Sequence, residues 1–378
     1  MAERSEVIWN RIDRACRFAA TEWHPLCKRA RALYHGQHWP GMRSKRSERS
    51  RVVVNYCRPT VETKVANLAF AYPEFHLKPL NREGAEFATV ATHLLTYDWR
   101  EAGAQAEAKR ALRDANIFGL GIVATGWLFE TEPRDGKPGV RVEGGRPAEA
   151  VEPTDSTPDS APLEDALPPE EVPPPVRTDR PFVKRVSPLC FFIDPEGDSV
   201  LENAAWCGYW ELRPLEEVKA DRRFKNTRQL KGTSKDLTPW MSEELRGYDE
   251  AIMPADCKRT KLFHYYEKAT RLHYIFSDEH QKPLLTEEWH WEGDHYPFAY
   301  LRTPDDEDAF YPTSPLIWVE HQQREINESR TQHSEWRRQA APKYQTSSTL
   351  EEAQRQAVAS DRAGTVVEGV QQGLTPLV

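Results

Sequence analysis

Apolar residues recur at helical spacing from the start of the chain, at Val7, Ile8, Ile12, Cys16, Phe18 and Ala19, and predict a helix. Pro25 interrupts it, and the pattern resumes at Leu26, Ala30 and Leu33. An aromatic turn, YHGQHWPGM, leads into a basic run of Arg43, Lys45, Arg46, Arg49 and Arg51. Such a run reads first as a solvated loop and second as a contact for nucleic acid or a partner. Val52 to Asn55 reads as a short strand, and Arg58-Pro59-Thr60 opens a helix with Val61, Val65, Leu68 and Ala69 on one face. A helix pair follows over residues 83–117, carrying Phe87, Val90, Leu94 and Leu95, then Ala108, Ala111, Leu112 and Ala115. GLGIVATGWLFE is strand-like. Its Gly119 and Gly121 make a G-x-G with no strand before it and without the rest of a dinucleotide-loop spacing, so they read as glycines of a tight helix-to-strand turn.

Residues 131–181 change character. EAVEPTDSTPDSAPLEDALPPEEVPPPV is acidic, Pro-rich and free of aromatics, which predicts a flexible insertion between the strands GVRV and PFVKRV. VSPLCFFIDPEGDS and AAWCGYWELRP add strands. A largely polar helix is expected from Pro214, with Leu215, Val218, Phe224 and Leu230 as its large apolar residues. Residues 257–303 alternate as a small β block, KLFHYYEKATRLHYIFSD followed by LLTEEWHWEGDHYPFAYLR.

The best-marked element is the last. Ser314 is placed to cap a helix and Pro315 to occupy its first position. No breaker follows before Pro342, so about 27 residues predict a rod of roughly 40 Å. Leu316, Ile317 and Val319 make an apolar start, but from Glu320 to Glu335 the only aliphatic residue is Ile326. A helix buried in one core shows a broad apolar stripe. This one is polar nearly all round, as expected of a helix that packs against copies of itself, lines something wet, or bridges two domains through solvent. Beyond Pro342, KYQTSS is strand-like, a helix is expected near Leu350 to Val358, and the chain reads as cut short after GTVVEGVQQGLTPLV.

Composition narrows the class. With 378 residues, 29% charged, 10% aromatic and twelve Trp, the chain is expected to fold into two or three domains. No run of about 18 apolar residues predicts a transmembrane helix. The N-terminus lacks the apolar core of a signal peptide, so an intracellular product is expected. Cys16, Cys27, Cys57, Cys190, Cys207 and Cys257 show no C-x-x-C pairing and read as buried thiols. The net charge of −8 gives no global basic signature, which fits a protein that lets a polyanion slide past without gripping it.

In this order the segments resemble the portal proteins of tailed bacteriophages. YHGQHW, the basic loop and RVVVNYCRPTVETKVANLAFAYPEFHLKP look like a portal wing entry, and ALRDANIFGLGIVATGW and SPLCFFIDPEG like its core. LFHYYEK resembles the start of a clip, and YPTSPLIWVEHQQREINESRTQHSEWRRQAAPKY a stem helix. The resemblance implies an α+β subunit with an α/β wing, two long stem helices and a small β-rich clip. Its divisions would be a wing at 1–213, a first stem helix and loop at 214–256, a clip at 257–305, a second stem helix at 306–342, and a return at 343–378 that lacks the C-terminal crown. It further implies a homo-oligomeric ring, usually of twelve subunits, at one capsid vertex. Double-stranded DNA is packaged and ejected through that ring. Partners would be the terminase large subunit, head-completion or adaptor proteins, and major capsid and scaffolding proteins. The location would be the virion, with the host cytoplasm during assembly, and neither cofactor nor enzymatic activity is implied.

Carried onto these residues, the channel candidates are Glu320, Gln323, Glu328, Arg337, Arg338 and Lys343. Arg337, Arg338 and Lys343 suit phosphate contacts, and equally salt bridges between subunits. His264, Tyr266, Trp289 and Trp291 are the candidates for partner docking on the clip. Two rival readings stand beside this one. His280, His290, Asp294 and His295, with Glu287 and Glu288, put metal-capable side chains in a short span, as a metal-dependent nuclease would need, though no HExxH accompanies them. A capsid adaptor without a DNA channel is the other.

Overall fold

Pro25 lacks the N–H an α-helix would use and crowds the preceding turn. In the computed structural model the helix does not stop there but widens: α1 (Ala2–Phe18) passes through a π turn at Ala19–Trp23 into α2 (His24–Tyr34). The structure describes residues 2–39, 51–79, 81, 84–131, 141–143, 176–221, 223–232, 258–289, 291, 293–303, 309–339 and 343–345, together with 351, 352, 356 and 375–377. Most of the acidic Pro-rich insertion, the basic cluster before Arg51 and the helix expected near Leu350 lie outside these residues. Among them no helix is long and apolar enough to cross a membrane.

The chain divides into two packed units, one of residues 1–35 with 57–319, the other of residues 36–56 with 320–378. In the larger unit α3 (Cys57–Leu68) and α4 (Ala85–Glu101) precede α5 (Ala104–Phe118), which ends at Gly119 with φ +92. β1 (Leu120–Thr131) then folds straight back on α5. A Cβ on Gly121 would lie 2.2 Å from the Ala111 carbonyl oxygen, so glycine is what permits this approach. The paired glycines are therefore packing residues, as the sequence indicates.

β2 (Arg141–Glu143) and β3 (Val176–Val186) both pair antiparallel with β1. β4 (Phe191–Ile193) and β5 (Trp206–Pro214) follow, then the short α6 (Leu215–Ala220). β6 (Arg259–Glu267), β7 (Leu272–Ser277) and β8 (His280–Glu288) continue the sheet begun by β4 and β5, giving the order β4-β5-β6-β7-β8, antiparallel throughout. β9 (Phe298–Arg302) returns to β1, pairing Leu120 with Arg302 through Ala124 with Phe298. The strands of the block expected as a self-contained clip at 257–305 are thus shared between two sheets with residues 120–214. Cross-strand pairing is non-local, and the alternation that announces a strand does not say which strand it joins.

Alternation does say how the second sheet is buried. Phe263, Tyr265, Tyr274 and Phe276 meet Ile8, Ile12 and Ala15 of α1 on one face. Leu262, Ile275 and Leu285 meet Leu215, Val218, Phe224 and Leu230 on the other. The main core joins α2, α3, α5 and both sheets, with Phe191, Phe298 and Phe310 at its aromatic centre.

Two expectations about long helices are corrected. The helix from Pro214 is only six residues long. Asp221 is extended and takes the Arg223 amide on its own carboxylate at 3.0 Å, and Asn226 is left-handed at φ 62, so the backbone has already turned away. Residues 233–257 lie outside the described ones. The helix after Ser314 is real but broken. α7 (Pro315–Trp318) is a single turn, Val319 leaves helical geometry at ψ 4, and α8 (Glu320–Gln339) carries on from there. The break falls where the apolar turn, with Leu316 buried, gives way to the polar run. Ser314 caps as predicted: its hydroxyl accepts from the Leu316 amide at 3.1 Å and donates to the Ile117 carbonyl. β10 (Lys343–Gln345) and β11 (Thr375–Leu377) pair antiparallel in the smaller unit. The fold is mixed α+β with open sheets.

Candidate functional site

The polar helix is where the sequence concentrates its candidates, so α8 is taken first. One face is buried although it holds no large apolar side chain: Glu320, Gln323 and Asn327 are inside, the last two only 3% and 1% exposed. Residues 52–56 account for it. Val52 to Asn55, read from sequence as a short strand, has no strand partner among the described residues, and the stretch instead lies extended along α8 within the smaller unit. The Val52 amide donates to Thr331 Oγ1 at 3.0 Å, the Val54 amide to Asn327 Oδ1 at 2.9 Å, and the Tyr56 amide to Gln323 Oε1 at 3.1 Å. Gln323 Nε2 in turn donates to the Val54 carbonyl at 2.6 Å and reaches Asn327 Oδ1 at 3.2 Å. Asn327 Nδ2 sits 2.7 Å from His38 Nδ1.

The repeat has a geometric cause. Four residues of helix rise about 6.0 Å, and two residues of extended chain advance about 6.7 Å. A side chain every fourth position on α8 therefore meets every second amide of an antiparallel extended chain. Amide and hydroxyl side chains fill these positions because they can answer a backbone N–H or C=O without bringing a buried charge. At the open end Trp39 Nε1 reaches the Val52 carbonyl at 3.3 Å, and the Arg51 guanidinium lies over the Trp39 ring at 5.3 Å. The sequence signal was present but easily missed. Gln323, Asn327 and Thr331 are neutral polar residues at a spacing of four in a helix whose other polar residues are mostly charged.

This placement divides the channel candidates. Glu320 is buried and accepts from Arg324 Nη2 at 3.2 Å, and Gln323 is buried and bonded to the chain's own backbone. Glu328 and Arg337 are on the exposed side of α8. The side chains of Arg338 and Lys343 lie outside the described residues.

The docking candidates are brought together, but inside the larger unit. His264, Tyr266 and Trp289 are buried, and Trp291 is partly covered. They belong to a row of rings crossing β5, β6 and β7 on one sheet face. Tyr209 stacks on His264 at 4.5 Å, His264 lies beside His273 at 5.3 Å, and His273 stacks on Tyr266 at 4.2 Å. Cross-strand register makes the row: Tyr209 opposes His264, and Tyr266 opposes His273. Trp289 and Trp291 stack at 5.0 Å, and Trp291 Nε1 donates to the His295 carbonyl at 2.8 Å. Trp289 also packs on Tyr296, at 5.5 Å, in the turn before β9.

Beside that row His264 Nε2 lies 3.3 Å from Glu211 Oε1, and its Nδ1 is 3.2 Å from His273 Nε2. Burial favours the neutral form of Glu211, but His264, Arg213 and Lys184 outweigh it and hold the carboxyl well below its ordinary value.

The metal-ligand cluster does not form among the described residues: no three His, Cys, Asp or Glu side chains gather there. His280 Nδ1 accepts from the Lys282 amide at 2.9 Å, and Asp294 pairs with Lys268 at 3.3 Å. His290 lies outside the described residues. The five described cysteines are free thiols.

No curated protein matches the chain. Residues 10–147 match the family model of the phage P22-like portal protein, a stretch that runs from α1 through α5 and β1 to just beyond β2. The portal resemblance read from the sequence is supported over those residues by an independent comparison.

Proposed function

We propose that the chain is a portal subunit that joins copies of itself into a ring at a capsid vertex, through which double-stranded DNA passes during packaging and ejection. The observation that carries this is the family match over residues 10–147. Portal proteins are structural, non-catalytic capsid components, so the subunit acts as a conduit and a docking platform. Its partners in this reading are its own copies, the terminase motor, head-completion proteins and the capsid shell. The polar helix fits that role in a narrower way than its sequence suggests. The Gln323–Asn327–Thr331 face holds the chain's own residues 52–56, which leaves the opposite face, with Glu328 and Arg337, to meet a neighbouring subunit or the channel. A mixed-charge face of this kind attracts DNA weakly, as a sliding conduit requires.

Electron-microscope imaging of the purified full chain, with its mass measured in solution, tests the reading. Closed rings with a central pore are expected. Open filaments, or a discrete assembly without a pore, refute the channel and favour an adaptor.

A further inference from the structure

His264 and His273 share a hydrogen. Their ring planes differ by 16° with centroids 5.3 Å apart, so the rings lie beside and not over each other, and His264 Nδ1 is 3.2 Å from His273 Nε2. At that distance one nitrogen carries the hydrogen and the other accepts it. Glu211 decides which. His264 Nε2 has no aligned hydrogen-bond partner, but the ionised carboxylate of Glu211 lies 3.3 Å away and favours an N–H on that nitrogen. His264 Nδ1 is then the acceptor and His273 Nε2 the donor. A tyrosine stacks on each ring, Tyr209 on His264 and Tyr266 on His273.

This arrangement accepts one further proton and not two. Wherever the first sits, one N–H···N bond survives between the rings. A second sets N–H against N–H at the same contact. The surrounding charges act in the same direction. Glu211 and Arg213 come from β5, Lys184 reaches Glu211 from β3 at 2.8 Å, and Glu287 of β8 opposes His273 across the strands. After α6, Arg223 is paired with Asp221 at 2.9 Å and lies 3.9 Å from Glu287. The Cys190 thiol, which burial keeps neutral, is the remaining titratable neighbour of Glu211 among the described residues. Lys184, Arg213 and Arg223 thus balance Glu211, Asp221 and Glu287. The first proton leaves one positive charge beside Glu211, and the second adds another with no carboxylate to answer it.

The row also borders a cleft between the two sheets, with Thr125 and Phe182 of the first sheet on its far wall. We propose that the Glu211–His264–His273 chain is an acid-operated latch between these sheets, closed while the pair holds a single added proton and opened when a second parts the rings. The latch uses residues of the larger unit alone and is independent of the portal reading.

The test compares the full chain with its His273→Gln variant by hydrogen exchange of peptides covering residues 259–267 and 272–277, both proteins at each pH from 8 to 5. Glutamine keeps a neutral N–H for His264 Nδ1 and takes up no proton. Below the ordinary histidine value of about 6.5, the open wild-type pair holds two protons and the closed pair one, so opening rises roughly tenfold per pH unit. In the variant the open and closed sites hold equal numbers, so this rise is absent. Intrinsic exchange rates and the other histidines, including His24, which burial lowers to about 4, cancel in the ratio. The ratio of wild-type to variant opening is expected to be flat above pH 7 and roughly tenfold higher at about pH 5.5. A ratio that stays flat to pH 5 overturns the proposal. Should the variant misfold, nitrogen-15 NMR of histidine-labelled wild type reads the pair directly. A coupling between two ring nitrogens across a hydrogen bond is expected at pH 8 and its loss at pH 5; its absence at pH 8, or its persistence at pH 5, overturns the latch.

Discussion

Replacing Asn327 by alanine removes the acceptor of the Val54 amide, at 2.9 Å, and of Gln323 Nε2, at 3.2 Å. Gln323 keeps its other bonds, to the Val54 carbonyl and the Tyr56 amide. The Val54 N–H does not: it lies part-buried against α8 with its acceptor gone. An orphaned buried donor costs about 1–3 kcal/mol. Centring on about 2 kcal/mol, and with tenfold for every 1.4 kcal/mol, exchange-competent opening of this segment should rise roughly 30-fold. The assay is hydrogen exchange followed by mass spectrometry on peptides covering residues 51–56 and 320–331. Gln323→Ala, which deletes acceptor and donor together, should loosen the same peptides at least as much. Glu328→Ala, on the exposed face, should leave them unchanged. Unaltered exchange over residues 51–56 in Asn327→Ala would refute the view that the polar stripe holds this segment.

Other predictions follow from single sites. Because Glu211 titrates below its ordinary value of 4.5 when folded, it contributes stability that is complete above that pH and is lost as pH falls toward the folded value. Urea melts at pH 7 and near pH 4 should show this loss in the wild type and a smaller one in Glu211→Gln; equal losses would contradict the assignment. Gly121→Ala should destabilise by more than about 2 kcal/mol, because its Cβ would press on the backbone of α5 and neither element can give way. Chemical denaturation measures it, and a change below about 0.5 kcal/mol, the range of ordinary surface substitutions, would refute the close approach. Burial pushes the thiols of Cys16 and Cys190 up to about 12 and about 11, and that of Cys27 higher still. Peptide mapping after maleimide treatment at pH 8 should find them unlabelled in the native chain and labelled after denaturation.

Much of the local structure was decided by sequence alone. The Ser314-Pro315 start, the helix-to-strand turn at Gly119 and Gly121, the strand-and-turn around Asp194 and the alternation of residues 259–288 are all announced by residue types within a few positions of one another. Propensity, capping and turn chemistry act at that range, so the signal is carried by neighbours. Sequence also marked α8 as a polar helix and α4 as an amphipathic one.

What those faces meet was a different matter, because a partner far along the chain leaves no local trace. Gln323, Asn327 and Thr331 are polar because residues 52–56, some 270 positions earlier, need hydrogen-bond partners. His264, Tyr266 and Trp289 resemble a surface aromatic cluster until β5, β7 and the turn before β9 close over them. β9 follows β8 in sequence but pairs with β1. Phe87, Val90 and Leu94 carry the periodicity of a core face, and only the packed chain reveals that nothing in the described subunit covers them. Periodicity fixes which residues share a face; the tertiary structure decides what that face is buried against, since burial depends on contacts that close only when distant segments meet.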